Sequence, residues 1–574
     1  MKALELSSEL TIAELKKLYA TNTLTPLDVL HGIIKRAEQD CTFNIWITEP
    51  SLSYVMPYIE ALQDKSKDLP LWGIPFAVKD NIDVAGMPTT AGCEGYTYIP
   101  TEHADVVQQL VDAGAIPVGK TNLDQFATGL VGTRSPYGAC KNALDPTLIS
   151  GGSSSGSAVA VARGHVSFAL GTDTAGSGRV PAALNGLIGF KPSLGAWSTR
   201  GVVPACASLD SVTVFATAYD EIKLVDQIVR HYDVENSWSK DIPLQAPALP
   251  EKILLLQEDI TFFGPFEQEF RESWQQAVKQ VKELDIAIEY IDGSYLKEAA
   301  SLLYDGPFVA ERWAALSTYV ESHPNTVYPV TETILRQAEN PSYTATALFQ
   351  AQHKIQAYKK RAHMDLQNAV LMMPTVGGTW RQTDVEANPI ATNSQLGLYT
   401  NHCNILDLCA VNVPVEGEQP FGITFFAKGG ADHLVHSMST YYLEHKQPIP
   451  ETSTIMIAAC GLHLKGYPLE KQMLQFGSQF IETTTTAPTY QLLMLEDGLT
   501  RPGLLFSEAG GNAIEVDLWE MPANQLASFI ACIKAPLALG TITLNDGREV
   551  LGFVCAANPA VYKDITKTGG WRYL

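Results

Sequence analysis

The sequence lacks the features of a membrane-embedded or disulfide-stapled protein. No run in its 574 residues approaches the roughly 18 apolar residues of a membrane span, and the opening MKALELSSEL has no apolar core typical of a signal peptide. Nine cysteines are scattered between Cys41 and Cys555 without a CxxC pair. That scatter favours reduced thiols over a disulfide frame or a metal site. We therefore expect a cytoplasmic protein with no metal and no cofactor.

Positive charge is also scarce. The chain has 40 Lys and Arg against 62 Asp and Glu, a formal net charge of -22. Nucleic acid and anionic membrane would repel such a surface, so we expect neither as a partner. A small anionic substrate needs only a local cation, so the overall charge does not argue against one.

Hydrophobic patterning predicts a largely buried sheet flanked by helices. From residue 71 to about 215, short apolar runs alternate with helical stretches and Gly-rich turns, which is typical of an α/β fold. The runs are Ile74–Val78, Ile116–Val118 and Phe168–Leu170. Pro26 stands where the first turn of an early helix would be. After residue 251 we expect a strand over Ile253–Leu256, amphipathic helices to about residue 370, and strands again between 371 and 430.

A polar stretch with two prolines, residues 444–454, predicts a linker between two domains. We place one α/β domain at residues 1–443 and a small α+β domain at residues 455–574. The second domain shows short strand-like runs, such as Leu492–Leu495 and Ile542–Leu544, and only one or two helical stretches.

Two Gly-rich turns between residues 149 and 192 carry the strongest functional signal. The first, GGSSSGS, could be a flexible linker, but AVAVA follows at once and a second turn, GTDTAGSGR, comes after a buried-looking run. Such turns bring backbone close to a ligand. In the second turn Gly176 and Gly178 flank Ser177, so N–H groups from Thr174 onward can point into one concavity. That arrangement can stabilise an oxyanion beside a serine nucleophile.

A serine nucleophile needs a base, and the sequence offers Lys79 rather than a histidine. His165 lies between the two turns but has no carboxylate pattern around it. Lys79 ends an apolar run, so burial should lower its pKa from about 10.4 toward 7. Ser153, in the first turn, would relay the proton. A lone lysine at a strand end more often reaches solvent, but the two Gly/Ser turns favour the catalytic interpretation.

These segments resemble the amidase signature family over about residues 5–440. GIPFAVKDNIDVAGMPTTAG is similar to the lysine segment of the family, and GGSSSGSAVAVA with GTDTAGSGRVPAALNGLIGFKPS is similar to its signature. The resemblance implies a mixed central sheet, Ser177 as acyl-enzyme nucleophile, Ser153 as bridging serine after a cis peptide bond, and Lys79 as general base. It also implies further site residues: an oxyanion loop of Thr174, Ala175 and Gly176, a supporting hydroxyl at the substrate site on Ser154, a structural pair of Asp173 and Arg179, and a substrate-contacting loop at Gly129.

The tail resembles the C-terminal domain of allophanate hydrolases, in phrases such as CGLHLKGYPLEKQ and DITKTGGWRYL. In LYDGPFVAERWAAL, Tyr304 and Arg312 are similar to the residues that bind the substrate carboxylate in that group. The resemblance implies hydrolysis of allophanate, with release of ammonia, in the use of urea nitrogen. A guanidinium also suits bidentate carboxylate binding. The alternative for this pair is a solvated arginine and a core tyrosine.

The same resemblance implies that the small domain is related in fold to γ-glutamyl cyclotransferases and assists decarboxylation of N-carboxycarbamate. The stretch that would hold the cyclotransferase glutamate, ANQLASFIACIKAP, has no carboxylate, so we do not expect that chemistry. His463 is the candidate for binding a carboxylate or moving a proton near neutral pH, against the alternative of a satisfied histidine on a strand. Arg572 is a second candidate, as an anion contact.

The resemblance further implies a homodimer and a biotin-dependent urea carboxylase on another chain, because this sequence has no biotinyl motif. Two other functions stay open: a hydrolase of another small carboxylate-bearing amide, such as malonamate, and a non-catalytic binding protein with an amidase fold. Intact Lys79, Ser153 and Ser177 disfavour the second of these. The charge and the tail disfavour a tRNA-linked amidotransferase subunit.

Overall fold

The structure, a computed structural model, describes residue 7 and residues 10–304, 306–445, 454–496, 500–507, 509–522, 525–555 and 562–574. The chain divides into two compact units, residues 1–444 and 445–574. Each unit has its own sheet and its own apolar core. The predicted linker at 444–454 falls almost wholly outside the described residues.

The helices of the first unit surround its sheet. They are α1 Ile12–Ala20, α2 Pro26–Gln39, α3 Leu52–Leu62, α4 Asp105–Asp112, α5 Ser155–Ala162, α6 Val180–Leu184, α7 Tyr219–Val229, α8 Glu267–Lys282, α9 Ser294–Tyr304, α10 Val309–Ser322, α11 Pro329–Arg336, α12 Ala345–Asp365, α13 Gln382–Ala387, α14 Ala391–Leu396, α15 His402–Ile405 and α16 Asp432–His445. The early helix begins at Pro26 as predicted, behind a capping box in which Thr25 and Asp28 satisfy each other's backbone N–H.

The sheet of the first unit has eleven strands among the described residues. They are β1 Trp46–Thr48, β2 Pro75–Lys79, β3 Ile116–Thr121, β4 Phe168–Asp173, β5 Ile188–Lys191, β6 Ser211–Ala216, β7 Lys252–Leu256, β8 Ala287–Ile291, β9 Ala369–Pro374, β10 Leu408–Val415 and β11 Phe421–Lys428. Their order is β1-β3-β2-β4-β6-β5-β10-β11-β9-β7-β8. The sheet contains both parallel and antiparallel pairs, so the predicted mixed α/β sheet is confirmed.

Three adjacent parallel strands near one end of the sheet position the site. β2 pairs with both β3 and β4 in parallel, and all three are buried along their whole length, as the apolar runs predicted. Parallel strands end at one edge of a sheet, where open α/β proteins hold their ligands. Lys79 and Asp173 are the last residues of β2 and β4, so the fold brings the lysine segment to the second Gly-rich turn.

One strand contradicts the expectation from the sequence. β8 lies within the stretch where we expected only helices, and it pairs in parallel with β7 at the end of the sheet. Its residues are only half-buried or exposed, because an edge strand has a neighbouring strand on one side only. Its run therefore lacks the continuous apolar signal of the central strands.

The second unit is a separate small α+β fold. Its strands are β12 Thr454–Ala459, β13 Gln479–Thr485, β14 Tyr490–Glu496, β15 Thr500–Phe506, β16 Glu515–Pro522, β17 Leu537–Thr543, β18 Glu549–Cys555 and β19 Lys563–Asp564. The sheet order is β13-β16-β12-β18-β15-β14-β19, with β17 against β18. The described part of this unit contains two α-helices, α17 Glu470–Gln475 and α18 Leu526–Ala531, in agreement with the sequence.

The described residues lack the features of a membrane span and of a clustered metal site. They contain no helix long and apolar enough to cross a membrane. They also contain no group of three or more His, Cys, Asp or Glu side chains arranged to hold a metal ion. All nine cysteines are free thiols, and they are buried except for Cys41 and Cys532.

Candidate active site

Lys79 is a fully buried lysine that contacts two hydroxyl groups. Its Nζ donates to Ser153 Oγ at 2.7 Å and to Thr172 Oγ1 at 2.8 Å. The adjacent carboxylate, Asp80, points to the opposite face of the strand and pairs with Lys120 at 3.1 Å. Burial lowers the pKa of Lys79 to about 7, although nearby negative charges oppose the shift. A neutral amine at this position can accept a proton from Ser153.

Ser153 lies in the first Gly-rich turn, two residues before the start of α5. The peptide bond between Gly152 and Ser153 is cis, as the resemblance implied. The side chain of Ser153 is fully buried. The structure therefore joins Lys79 and Ser153, which lie 74 residues apart, in one contact.

Ser177 lies in the second Gly-rich turn, after β4. Its hydroxyl, which is almost buried, donates to the carbonyl of Gly129 at 3.5 Å, the outer limit of a hydrogen bond. Gly176, directly before it, has φ +138°, and a side chain there would collide with Thr400. Only glycine takes this conformation readily, so the turn that presents Ser177 depends on it.

Asp173 anchors the same turn. Its carboxylate accepts from the N–H groups of Gly176 at 2.9 Å and Gly178 at 3.0 Å, and pairs with Arg179 through two bonds of 3.0 Å. Burial works to raise the pKa of Asp173, but Arg179 outweighs it, so the pKa is lowered. The Asp173–Arg179 pair therefore has a structural role, as predicted, because its contacts hold the backbone of the turn. The N–H of Gly176, which the resemblance assigned to the oxyanion loop, is engaged by Asp173 in this structure.

The other residues assigned to the oxyanion loop and its support also have defined places. Ala175 is buried next to Gly176, and the hydroxyl of Thr174 donates to Asp210. Ser154 is buried and exchanges hydrogen bonds with the backbone of Thr172, at 3.1 and 3.3 Å. Its hydroxyl therefore supports the strand that also carries a partner of Lys79. Its direct contact with substrate stays a prediction.

The loop at Gly129 is organised by Asp124, which sequence reasoning missed. The carboxylate of Asp124 accepts from the N–H groups of Val131, Gly132 and Arg134, at 3.2, 3.0 and 2.9 Å. A side chain on Gly129 or on Gly152 would collide with that carboxylate. The signal that could have found it is its position, a polar side chain shortly after the buried strand β3.

The two predicted carboxylate-binding residues differ in what the structure describes. Arg312 on α10 is 2% exposed, and its Nη1 donates to Thr128 Oγ1 at 3.3 Å. Because Thr128 precedes Gly129, the guanidinium lies close to the loop that contacts Ser177. The solvated-arginine alternative is therefore wrong. Tyr304 ends α9, but its side chain lies outside the described residues.

A cavity of about 290 Å³ opens beside this loop. Thr128 and Gly129 form part of its wall. Its charged lining residues, among those described, are Arg134 and Lys297, and no carboxylate joins them. Such a lining suits a small anion even in a chain of net charge -22. Sequence reasoning missed Lys297, which has no motif around it.

The histidine between the two turns is not a competing base. His165 is buried and its Nε2 contacts Asp40 at 2.8 Å, a carboxylate 125 residues away that leaves no pattern in the sequence around the histidine. Its Nδ1 accepts from Trp46 at 3.2 Å. Both ring nitrogens are therefore used in a structural cluster.

The second unit has a cavity of about 70 Å³ with His463 in its wall. The ring stacks on Phe553 at 4.8 Å, and its Nε2 contacts Gln472 at 2.7 Å. Burial lowers the pKa of His463, so the ring is neutral near pH 7. It lies in a turn after β12 rather than on a strand. Arg501 and Lys534 line the same cavity and were not predicted.

Arg572 does not reach that cavity. Its guanidinium pairs with Glu515 at 2.7 Å and with Asp517 at 2.6 Å. Two carboxylates occupy its donors, so the prediction of an anion contact is wrong for this residue. A sequence does not reveal that two strand residues 55 and 57 positions away will satisfy a terminal arginine.

Each of the two units is matched by a known protein family. A family model described as amidase matches residues 32–435, and one described as allophanate hydrolase C-terminal domain matches residues 455–574. The urea amidolyase of Saccharomyces cerevisiae is 35% identical over 609 residues, covering 99% of this chain and 32% of that protein. The chain thus spans about a third of the length of the curated relatives it matches.

Two solved structures resemble the whole chain. The allophanate hydrolase of Kluyveromyces lactis is 34% identical with a TM-score of 0.71, and 98% of each chain is covered. The K. lactis urea amidolyase is 33% identical with a TM-score of 0.72, covering 99% of this chain and 37% of that one. A solved amidase at 24% identity and a TM-score of 0.63 shares the fold.

Proposed function

Since this chain belongs to the amidase family and is therefore an amidohydrolase, we propose allophanate as its substrate. The observation that carries the proposal is the alignment of the whole chain, both units included, with a solved allophanate hydrolase. The cationic cavity beside Gly129 supports it, because allophanate is a small urea that bears a carboxylate.

In the proposed reaction, Ser177 attacks the terminal carbonyl carbon while its proton passes through Ser153 to neutral Lys79. The carbon–nitrogen bond then breaks, the leaving nitrogen takes that proton, and ammonia departs. Water, deprotonated by the same groups, cleaves the ester on Ser177 and leaves N-carboxycarbamate. The weak bond from Ser177 to Gly129 allows the hydroxyl to turn toward Ser153 before the attack.

Ammonia release from allophanate by the purified protein tests this proposal. We expect steady release with wild type and a slower reaction with malonamate, which has a methylene in place of the central nitrogen. No release from allophanate would sink the substrate assignment. Faster ammonia release from malonamate would mean that malonamate, and not allophanate, is the better substrate.

Arg312→Gln should raise the KM for allophanate by about 10- to 100-fold and change kcat much less. The reason is that the proposed carboxylate contact is present in the ground state and the transition state alike. Steady-state kinetics with Arg336→Gln as control measure the effect, since Arg336 is half-exposed on α11 and pairs with Glu332. An unchanged KM in Arg312→Gln would remove this residue from substrate binding.

We also propose that the cavity of the second unit promotes loss of carbon dioxide from N-carboxycarbamate. His463 would pass a proton from water to the carbamate nitrogen as the carbon–nitrogen bond breaks and carbon dioxide leaves, and Arg501 and Lys534 would attract the dianion.

His463→Asn should leave the first ammonia unchanged and delay the second, which appears only after decarboxylation. Time courses of ammonia and of ¹³C-labelled carbon dioxide separate the two steps. If each step runs at the same rate in His463→Asn as in wild type, the assignment of His463 to decarboxylation is contradicted. Arg572→Gln serves as control, because its guanidinium is held by acidic residues outside the cavity.

From the family resemblance we propose in addition a homodimer, a cytoplasmic location and a supply of allophanate by biotin-dependent carboxylation of urea. Sedimentation of the purified chain tests the first of these.

A further inference from the structure

Asp210 is a buried carboxylate that the reaction above does not use. It lies directly before β6 and accepts from the N–H groups of Ala205 at 2.8 Å and Cys206 at 3.0 Å through one oxygen. Its other oxygen accepts from the hydroxyl of Thr174. One carboxylate thus ties the turn before Ser177 to the loop that precedes β6.

That loop is fixed to the helix that carries Arg312. Glu311 on α10 accepts from the N–H of Ser208 at 2.8 Å and from its hydroxyl at 2.7 Å. Arg312 interacts with Cys206 in the same loop and acts electrostatically on Asp210. Asp210 therefore lies between the residue proposed to bind the carboxylate and the turn proposed to bind the oxyanion.

We propose that Asp210 is a positioning residue, which acts through the Thr174 hydroxyl to hold the oxyanion turn in its productive place. The inference rests on the proposed function of Ser177. Asp173 fixes the far side of the same turn through Gly176 and Gly178, so the two carboxylates clamp it from both ends. A turn held on one side only would present its donors less accurately to the developing charge.

The charge of Asp210 also reaches Lys79. Three carboxylates, Asp124, Asp210 and Asp173, favour the protonated form of Lys79 against the effect of burial. Two charged groups interact with Asp210, Arg312 from α10 and Lys79 from β2, while Glu311 from α10 contacts Ser208 in the adjoining loop. Burial raises the pKa of Asp210 itself to about 6, while its hydrogen bonds and Arg312 oppose the shift. It is therefore mainly ionised at neutral pH.

A double-mutant cycle with Asp210→Asn and Thr174→Val tests the inference. Each single variant should lower kcat for allophanate by about 10- to 100-fold. The double variant should lose little more than the worse single variant, because Thr174→Val removes the donor and Asp210→Asn replaces the charged acceptor of the same link. Thr174→Ser, which keeps the hydroxyl, should recover most of the activity. Effects that multiply in the double variant would overturn the proposal.

The pH profile separates positioning from a merely structural role. In Asp210→Asn the acid limb of kcat/KM should move to lower pH, because Lys79 loses a neighbour that favours its protonated form. Asp226→Asn is the matched control, a buried carboxylate held by Trp197, Arg230 and His436, and should leave the limb in place. An unmoved limb in Asp210→Asn would also overturn the proposal.

Failure of the proposed function gives a different result. In that case wild type itself releases no ammonia from allophanate. If Asp210→Asn does not fold, Thr174→Val and Thr174→Ser carry the test alone. Equal activity of those two variants then contradicts a role for the hydroxyl.

Discussion

Ser177→Ala should abolish ammonia release, with kcat reduced by at least about 10⁴-fold. The substitution removes the atom proposed to bond the substrate carbon, and it disturbs little else, because the hydroxyl makes only a 3.5 Å contact with Gly129. Substrate binding should persist, so the variant should bind allophanate by calorimetry without turning it over.

Two measurements secure the interpretation of Ser177→Ala. Ser439→Ala, a buried serine on α16, should retain full activity. A serine-directed phosphonate should label wild type at Ser177 and leave Ser177→Ala unlabelled. Labelling at another residue, or Ser177→Ala activity within tenfold of wild type, would mean that another residue is the nucleophile.

Lys79→Met should lower kcat by about 10³- to 10⁴-fold, because the proposed general base is lost. In wild type kcat/KM should rise with pH through about 7, the pKa to which burial lowers Lys79, since only the neutral amine accepts a proton. The residual activity of Lys79→Met should lose that dependence. A pH profile that is flat in wild type would contradict a lysine base.

The same variant should be more heat-stable than wild type at pH 6. The folded-state pKa of Lys79 lies below its unfolded value, so below about pH 7 the folded chain holds a buried ammonium at a cost on the order of 5 kcal/mol. The cost fades as pH rises toward the unfolded value of 10.5. Unpaired Ser153 and Thr172 hydroxyls offset part of the gain, so we expect a rise of a few degrees in Tm at pH 6 and a smaller one at pH 9.

Lys191→Met is the control for that stability difference. Lys191 is also a buried lysine, but its Nζ donates to the carbonyls of Pro192 at 2.7 Å and Leu408 at 2.8 Å. Its loss leaves two buried acceptors unpaired, so its Tm should fall. A fall of similar size in Lys79→Met would mean that Lys79 is a structural lysine.

The parts of the site that could be predicted are those written in local sequence. Lys79 ends a continuous apolar run, which predicts the end of a buried strand, and Ser177 lies between two glycines, which predicts a tight turn. Asp210 gives no such signal and Asp124 gives only its position after β3, because their roles arise from contacts with Thr174 and with a loop of backbone N–H groups. Arg572 shows the converse, since a basic residue near a predicted site found acidic partners elsewhere.

The same distinction holds for the fold. β2 and β4 are interior parallel strands, buried at every position, and each begins with an apolar run. β8, at the edge, is half-exposed, and its mixture of polar and apolar residues is similar to that of the amphipathic helices around it. A single sequence reveals burial better than it reveals pairing.

The carboxylate of Asp124 constrains how this protein could be redesigned for bulkier amides. Gly129 and Gly152 both press against it, and neither accepts a side chain unless Asp124 moves and releases three backbone N–H groups. That side of the cavity is closed to stepwise change. Other lining residues of the cavity carry side chains that can be exchanged singly. Directed evolution toward larger substrates should therefore collect substitutions at Ile390, Ser394 and Leu398 and leave both glycines untouched.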